Sequence, residues 1–272
     1  MFQSINQSKS VVLGFSAMLL TSAVSLPAQA INLVTNGTLT PSASIQASNP
    51  NTSYRIPLAS SVNTTAIPGW TLTTATQNNH YSVVTPTGTA AGAGGSGAFG
   101  LNVATGQTVE SPTGNSGWFL QMDGDTRFGA SLTQQINNLI SGQDYIVSFY
   151  QAGATINGGS FYNVPTNNQF RVYFGDNTYS TYQTSDRMNM AIQEDVQPWS
   201  QQTMTFTATA ATQYLGFINV GGPSGQPPIA LLSDISVQAV PWETDTLPLV
   251  GSTVLFGFGL WAKKKFAQKK LK

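Results

Sequence analysis

Cysteine is absent from the 272 residues, which excludes disulfides, thiolate metal centres and a cysteine nucleophile at once. Histidine is almost as scarce. The single one, His80, has no cluster of His, Asp or Glu beside it, so it makes a poor nucleus for zinc. Nor does the sequence point to a serine and an acid that would complete a triad with it. Charge is the third shortage: 8% of residues are charged, against about 25% in an average soluble protein. Between Ile31 and Gln238 there is no lysine at all; the cations are Arg55, Arg127, Arg171 and Arg187. Nine acids share that span, namely Glu110, Asp123, Asp125, Asp144, Asp176, Asp186, Glu194, Asp195 and Asp234, so four cations against nine anions leave the body at −5. The formal net charge of +0 conceals this. An acidic body without clustered Lys and Arg argues against nucleic acid as a partner.

What replaces the missing charge is Ser, Thr, Asn, Gln and Gly, a composition that suits an exported protein with an uncharged polar surface. The two ends agree with export. Residues 1–30 carry Lys9, an apolar run from Val11 to Leu26, and Ala28-Gln29-Ala30 as a small-residue cleavage site, the three parts of a secretory signal peptide. A mature chain beginning near Ile31 follows. At the other end, residues 246–262 contain no charge and are followed at once by Lys263, Lys264, Lys265, Lys269, Lys270 and Lys272. A run of 17 residues lies at the short limit for a helix crossing a bilayer core. Flanking lysines stay cytoplasmic, so the expectation is a single transmembrane helix with the body outside.

The body, predicted as one domain over residues 31–239, is organised around residues 130–152. Leu132, Gln134 and Ile136 alternate with Thr133 and Gln135; Tyr145, Val147 and Phe149 alternate with Ile146, Ser148 and Tyr150. Period 2 with β-branched and aromatic residues reads as strand, and Asn137-Asn138 and Ser141-Gly142 supply turn chemistry between the two runs. The same alternation recurs at Phe170, Val172 and Phe174, and around Ile235 and Val237. Residues 41–65 are Ser, Thr and Asn rich and read as a long loop. Residues 88–100 are glycine rich but lack the Gly-Lys-Ser/Thr ending of a phosphate loop, so they read as a surface loop. About nine short strands without an amphipathic helix predict an all-β fold, a β-sandwich of jelly-roll type.

Two family resemblances rest on these residues. Val240-Pro241-Trp242-Glu243, the apolar span and the basic cluster together resemble the PEP-CTERM class of bacterial sorting signals, particularly cyanobacterial variants. The resemblance covers residues 240–272 and implies retention at the membrane until an exosortase-type enzyme removes the tail. Pro241 and Glu243 then mark the processing region together with Ala28 and Ala30 at the other end, although here they flank Trp242 in place of the usual Pro-Glu-Pro. Second, Asn36-Gly37-Thr38, Ile67-Pro68-Gly69-Trp70, the central run, Trp199 before residues 203–206, and the closing Leu-Ser-Asp-Ile-Ser-Val are similar to the galactose-binding-like jelly roll of carbohydrate-binding modules. Thr40 stands where members of that family often carry an acidic residue, so no family-style calcium site is implied there.

Sugar recognition needs aromatic faces against the apolar side of a pyranose and amide, carboxylate or guanidinium groups for its hydroxyls. Tyr81, Trp118, Tyr162, Tyr173, Tyr179 and Tyr182 are available, with Asn168 and Arg171 beside some of them. Asp123, Asp125 and Asp234 offer oxygen ligands to a structural Ca²⁺; no other cofactor is indicated. The predicted partners are thus the membrane, a polysaccharide and a processing enzyme. The function expected is a non-catalytic, envelope-retained module, glycan-binding or adhesive. The alternative is a secreted jelly-roll glycosidase or esterase using Asp123 or Glu110.

Overall fold

The computed structural model describes residues 31–48, 53–56, 62–73, 82–90, 100–104, 106–113, 117–125, 130–156 and 164–241. The signal segment with Ala28 and Ala30, Tyr81, Tyr162, Glu243, the apolar span 246–262 and the lysine tail lie outside the described residues. Among the described residues, no helix is long and apolar enough to cross a membrane.

In chain order the elements are α1 (Ala43–Ser48), β1 (Tyr54–Arg55), β2 (Val62–Asn63), β3 (Thr71–Thr73), β4 (Ser82–Pro86), β5 (Thr89–Ala90), β6 (Thr108–Val109) and β7 (Trp118–Asp123). They continue with β8 (Ser131–Ile136), β9 (Asp144–Ala154), β10 (Thr166–Gly175), β11 (Tyr182–Thr184), β12 (Met188–Met190), β13 (Ser200–Thr207), β14 (Gln213–Gly222) and β15 (Ile229–Ala239). Two antiparallel sheets form a β-sandwich. One has the order β1-β4-β7-β15-β9-β13; the other has the order β11-β10-β14-β8-β3-β2, with β12 added to β10. The chain is all-β, as its alternation predicts. Residues 41–65 depart from the loop reading, since they contain α1, β1 and β2.

The two strands of the central stretch do not pair with each other. β8 lies in the second sheet and β9 in the first, so residues 137–143 carry the chain from one layer to the other. Asn138 at φ 62° and Gly142 at φ 85° make that corner, and Ile140 N donates to Tyr145 Oη at 2.9 Å. Opposed inner faces then meet. Phe149 of β9 contacts Phe170 of β10 and Phe217 of β14 with ring centroids 6.0 and 5.1 Å apart, both near-perpendicular, and Trp70 joins Phe217 at 6.3 Å. Such edge-on pairs add about 0.5–1.5 kcal/mol each beyond the area they bury.

β7 and β15 are buried on both faces. Leu120, Met122 and Leu232 enter the sandwich core, while Phe119, Ile229 and Leu231 point the other way into a second cluster with Leu101, Val109 and Ile156. Trp199 packs edge-on against Phe119 at 5.7 Å over that cluster. This is why Trp118, Phe119 and Leu120 follow one another without a polar residue between them, rather than alternating.

A buried amide locks the N-terminal segment onto this frame. Gln134 Oε1 accepts from Thr35 N at 2.8 Å, and Gln134 Nε2 donates to Thr35 O and Gly69 O, both at 2.8 Å. Trp70 Nε1 donates to Asn36 O at 2.9 Å. Gly37 lies so close to β15 that an added Cβ would stand 2.0 Å from Ile235 O. Asn36-Gly37 and Pro68-Gly69-Trp70 therefore form one clasp.

Candidate functional site

β10 sorts its side chains by parity: Phe170, Val172 and Phe174 enter the core, which sends Arg171 and Tyr173 to the opposite face. The register sets their neighbours. Tyr173 faces Tyr182 on β11 and Gly216 on β14, and Arg171 faces Thr184 and Ile218. Gly216 leaves the ladder without a side chain beside Tyr173. The ring of Tyr179 fills that place, where an added Cβ would come within 3.4 Å of Tyr179 Cε1 and 3.3 Å of Thr133 Cγ2.

Tyr179 arrives from the turn after β10. Asp176 Oδ1 accepts from Thr178 N at 3.1 Å and from Thr178 Oγ1 at 2.6 Å. These bonds, the hydroxyl's first, hold the Asp176 carboxyl below its ordinary range. Tyr179 itself has φ 55°, a left-handed conformation rare for an aromatic residue and found where surrounding structure enforces it. The result is a cluster of rings. Tyr173 lies 5.3 Å from Tyr179 and 5.4 Å from Tyr182, and Arg171 Cζ sits 4.8 Å from the Tyr182 centroid. Tyr173, at 5% exposed, supports the cluster from beneath; Tyr182, at 42%, presents it to solvent. Beside Tyr179 a groove of about 350 Å³ is lined by Asp176, Gln183, Thr205, Thr207 and Gln213. The half-buried ring of Tyr179 lies beside these hydroxyls and amides, and a ring so placed can cover the apolar face of a sugar while they satisfy its hydroxyls.

The fold thus brings together Arg171, Tyr173, Tyr179 and Tyr182, and among the described residues separates Trp118, Asn168, Asp123, Asp125 and Asp234 from them. Trp118 is a core residue, 6% exposed, because β7 has no solvent face for its ring. Asn168 is fully buried, and its Nδ2 donates to Ile229 O at 2.8 Å, bracing β10 against β15. Neither is available to a ligand. Asp123 and Asp125 are buried at the end of β7: Asp123 Oδ1 accepts from Asp125 N at 2.9 Å, and Asp125 Oδ2 accepts from Gly225 N at 2.7 Å. Asp234 is remote from them. Asp123 pairs with Ile229 in the ladder, and Asp234 stands five positions further along β15, about 16 Å at strand rise. The trio therefore does not converge on one ion, and among the described residues no group of three or more His, Cys, Asp or Glu is placed to hold a metal. Asp234 sits at an irregularity of β15 with φ 49° and accepts from Thr113 Oγ1 at 2.9 Å; burial pushes its carboxyl above the ordinary value.

A second groove, about 290 Å³, opens over the outer face of the first sheet, lined by Gln107, Glu110, Asp195, Gln197 and Trp199. Trp199 Nε1 donates to Glu110 O at 2.7 Å. The convergence of Asp195 and Trp199 on Glu110 had no signature in sequence, because segments more than eighty positions apart supply the groove.

No protein-family model matches this chain, and no curated protein does. Among solved structures, the enzymatically active domain of bacteriophage CBA120 tailspike protein 4 is similar at 14% identity and a TM-score of 0.39, over 77% of this chain and 22% of that one. A CBM4 structure matches at 16% identity and 0.34, over 76% and 99%. TmCBM61 in complex with β-1,4-galactotriose matches at 11% and 0.34, over 64% and 90%. Scores this low leave the ligand to be argued from the chain's own residues.

Proposed function

We propose that this protein is an exported, envelope-retained, non-catalytic β-sandwich that binds polysaccharide on the outward face of β10, β11 and β14. The observation that carries the reading is the gathering of Arg171, Tyr173, Tyr179 and Tyr182 around Gly216 on one face, with Tyr182 open to solvent. A ring held by packing on two sides stays in one rotamer, so binding sacrifices little of its freedom. The test is a glycan array probed with the full chain and with Tyr182→Ala. The reading expects specific glycan signals that weaken about tenfold in the variant, the worth of one ring contact of about 1–2 kcal/mol. Absence of any glycan signal from the wild type would refute it.

The alternative, a glycosidase or esterase, draws support from the second groove, where Glu110 and Asp195 flank Trp199. It requires turnover. Release of product from an arrayed or chromogenic substrate, abolished by Glu110→Gln, would replace binding with catalysis as the main reading.

A further inference from the structure

The outward positions of the second sheet, followed rung by rung from β2 and β3 through β8 and β14 to β10 and β11, carry Thr, Ser, Gln, Asn, Tyr, Val, Ile and Gly. Among the described residues they carry one charge, Arg171, and no acid. Yet the body around it is acidic, and its described acids lie off these rungs, Asp176 in the turn that follows β10. Glu110 and Asp195 line the groove on the other layer, Asp123 and Asp125 are buried in β7 and the turn after it, and Asp144 accepts from Thr207 Oγ1 on β13. No carboxylate pairs with Arg171 among the described residues. Its Nε is buried without a hydrogen-bond partner, and its guanidinium rests on the Tyr182 ring.

A half-buried cation in an acidic protein costs desolvation that an ion pair would ordinarily offset. Here a tyrosine holds the guanidinium instead, leaving its Nη end to meet an oxyanion from outside. A second guanidinium lies on the same edge. Arg187 Nη1 donates to Asn167 Oδ1 at 3.2 Å, and Asn167 stands four positions from Arg171 on the same face of β10, about 13 Å away. The neighbouring Asp186 is engaged by Gln202 Nε2 at 3.2 Å. Two cations stand along ladder positions that carry no acid, with tyrosines beside them and Asp176 in the turn at the far end of β10, held by Thr178. At physiological salt, repulsion from the anions on the far layer is largely screened beyond about 8–10 Å.

We propose that the glycan bound here is acidic: a polysaccharide bearing carboxylate or sulfate groups, read by Arg171 with Arg187 as a second contact along the chain. The proposal rests on the glycan-binding reading and narrows it to a charge class. Two anions at a distance suit a polymer with repeating charge better than a single sugar. Arginine's planar fork also matches carboxylate and sulfate oxygens better than a lysine would.

The test titrates the full chain with matched pairs: polygalacturonate against its fully methyl-esterified form, and dextran sulfate against dextran. The expected result is binding at least tenfold tighter to one acidic member than to its neutral partner, weakening as salt rises. Arg171→Gln should remove about a tenfold share of that affinity, and Arg171→Lys should keep part of it, with the melting midpoint unchanged in both. The pair that discriminates tells carboxylate from sulfate. Equal binding to both members of each pair, or a preference that survives Arg171→Gln, overturns the acidic class while leaving glycan binding intact. Binding to no member of either pair overturns both readings. Duplex DNA held as tightly as the acidic glycan would also overturn the proposal, since it would reveal a general response to polyanions.

Discussion

Replacing Gln134 tests the idea that one buried amide fastens the N-terminal segment to the sandwich. Its side chain makes three hydrogen bonds of 2.8 Å, to Thr35 N, Thr35 O and Gly69 O, and it is 6% exposed. Each bond contributes about 0.5–1.5 kcal/mol net, and backbone groups left buried without a partner cost more. Gln134→Ala should therefore destabilise the protein by about 2–4 kcal/mol. For a domain of this size that is a fall in melting midpoint on the order of 5–15 °C. Gln134→Leu separates pairing from volume, because it fills the space and supplies no partner; it should cost nearly as much as Ala. Gln134→Glu should be the worst of the three. It keeps the acceptor for Thr35 N but turns an ionised oxygen toward the carbonyls of Thr35 and Gly69. Urea unfolding followed by tryptophan fluorescence gives these values, and Trp70, bonded to Asn36 O, lies within the clasp. The reasoning fails if Leu is within about 0.5 kcal/mol of the wild type, the ordinary scatter of harmless substitutions.

Further expectations follow from the acids and from the ends. Burial raises the folded carboxyl of Asp234 above its unfolded value, so its contribution to stability is fully present below the unfolded pKa and is lost as pH rises through the folded one. Asp234→Asn keeps an acceptor for Thr113 and tolerates the φ of 49°; it should raise the melting midpoint at pH 7 and flatten the profile just above the unfolded value of 3.8, and an unchanged profile would refute this. For the tail, a charge at the centre of a span costs about 2.5–3.5 kcal/mol on the insertion scale. Leu255→Lys should therefore release the body from the membrane fraction, and continued sedimentation with membranes would count against retention by that span. Mass spectrometry of the envelope-associated protein should find a terminus between Val240 and Asp245 if the tail is processed; an intact Lys272 would point to a permanent anchor.

What was legible in the sequence follows from which faces meet water. β10 has one solvent face, so its alternation appears directly in Phe170, Arg171, Val172 and Tyr173, and the outward pair could be nominated from spacing alone. Ring chemistry alone points to Tyr182, and the register places it opposite Tyr173. β7 has no solvent face, so Trp118, an aromatic in a strand and a ligand candidate by sequence, is a core residue instead. Gly216 carries a signal of its own, a glycine between Leu215 and Phe217 inside a strand. Its role depends on a ring thirty-seven positions earlier that only the ladder brings alongside. Asp123 and Asp234 are companions in the sequence only as oxygen donors; the antiparallel pairing of β7 and β15 puts them well apart.

The alternation of layers also governs when the molecule can close. From β7 to β10 each strand crosses to the other sheet, and β13, β14 and β15 cross again. β15 lies between β7 and β9, so the first sheet has no continuous centre until residues 229–239 arrive. A chain emerging from its N-terminus can make the short β10–β11 pairing early, but the first layer must wait. The last strand is the keystone of an arch: the second sheet has all its strands once β14 is made, but a polypeptide cut anywhere ahead of Ile229 leaves the first split down its middle, with β7 and β9 unjoined.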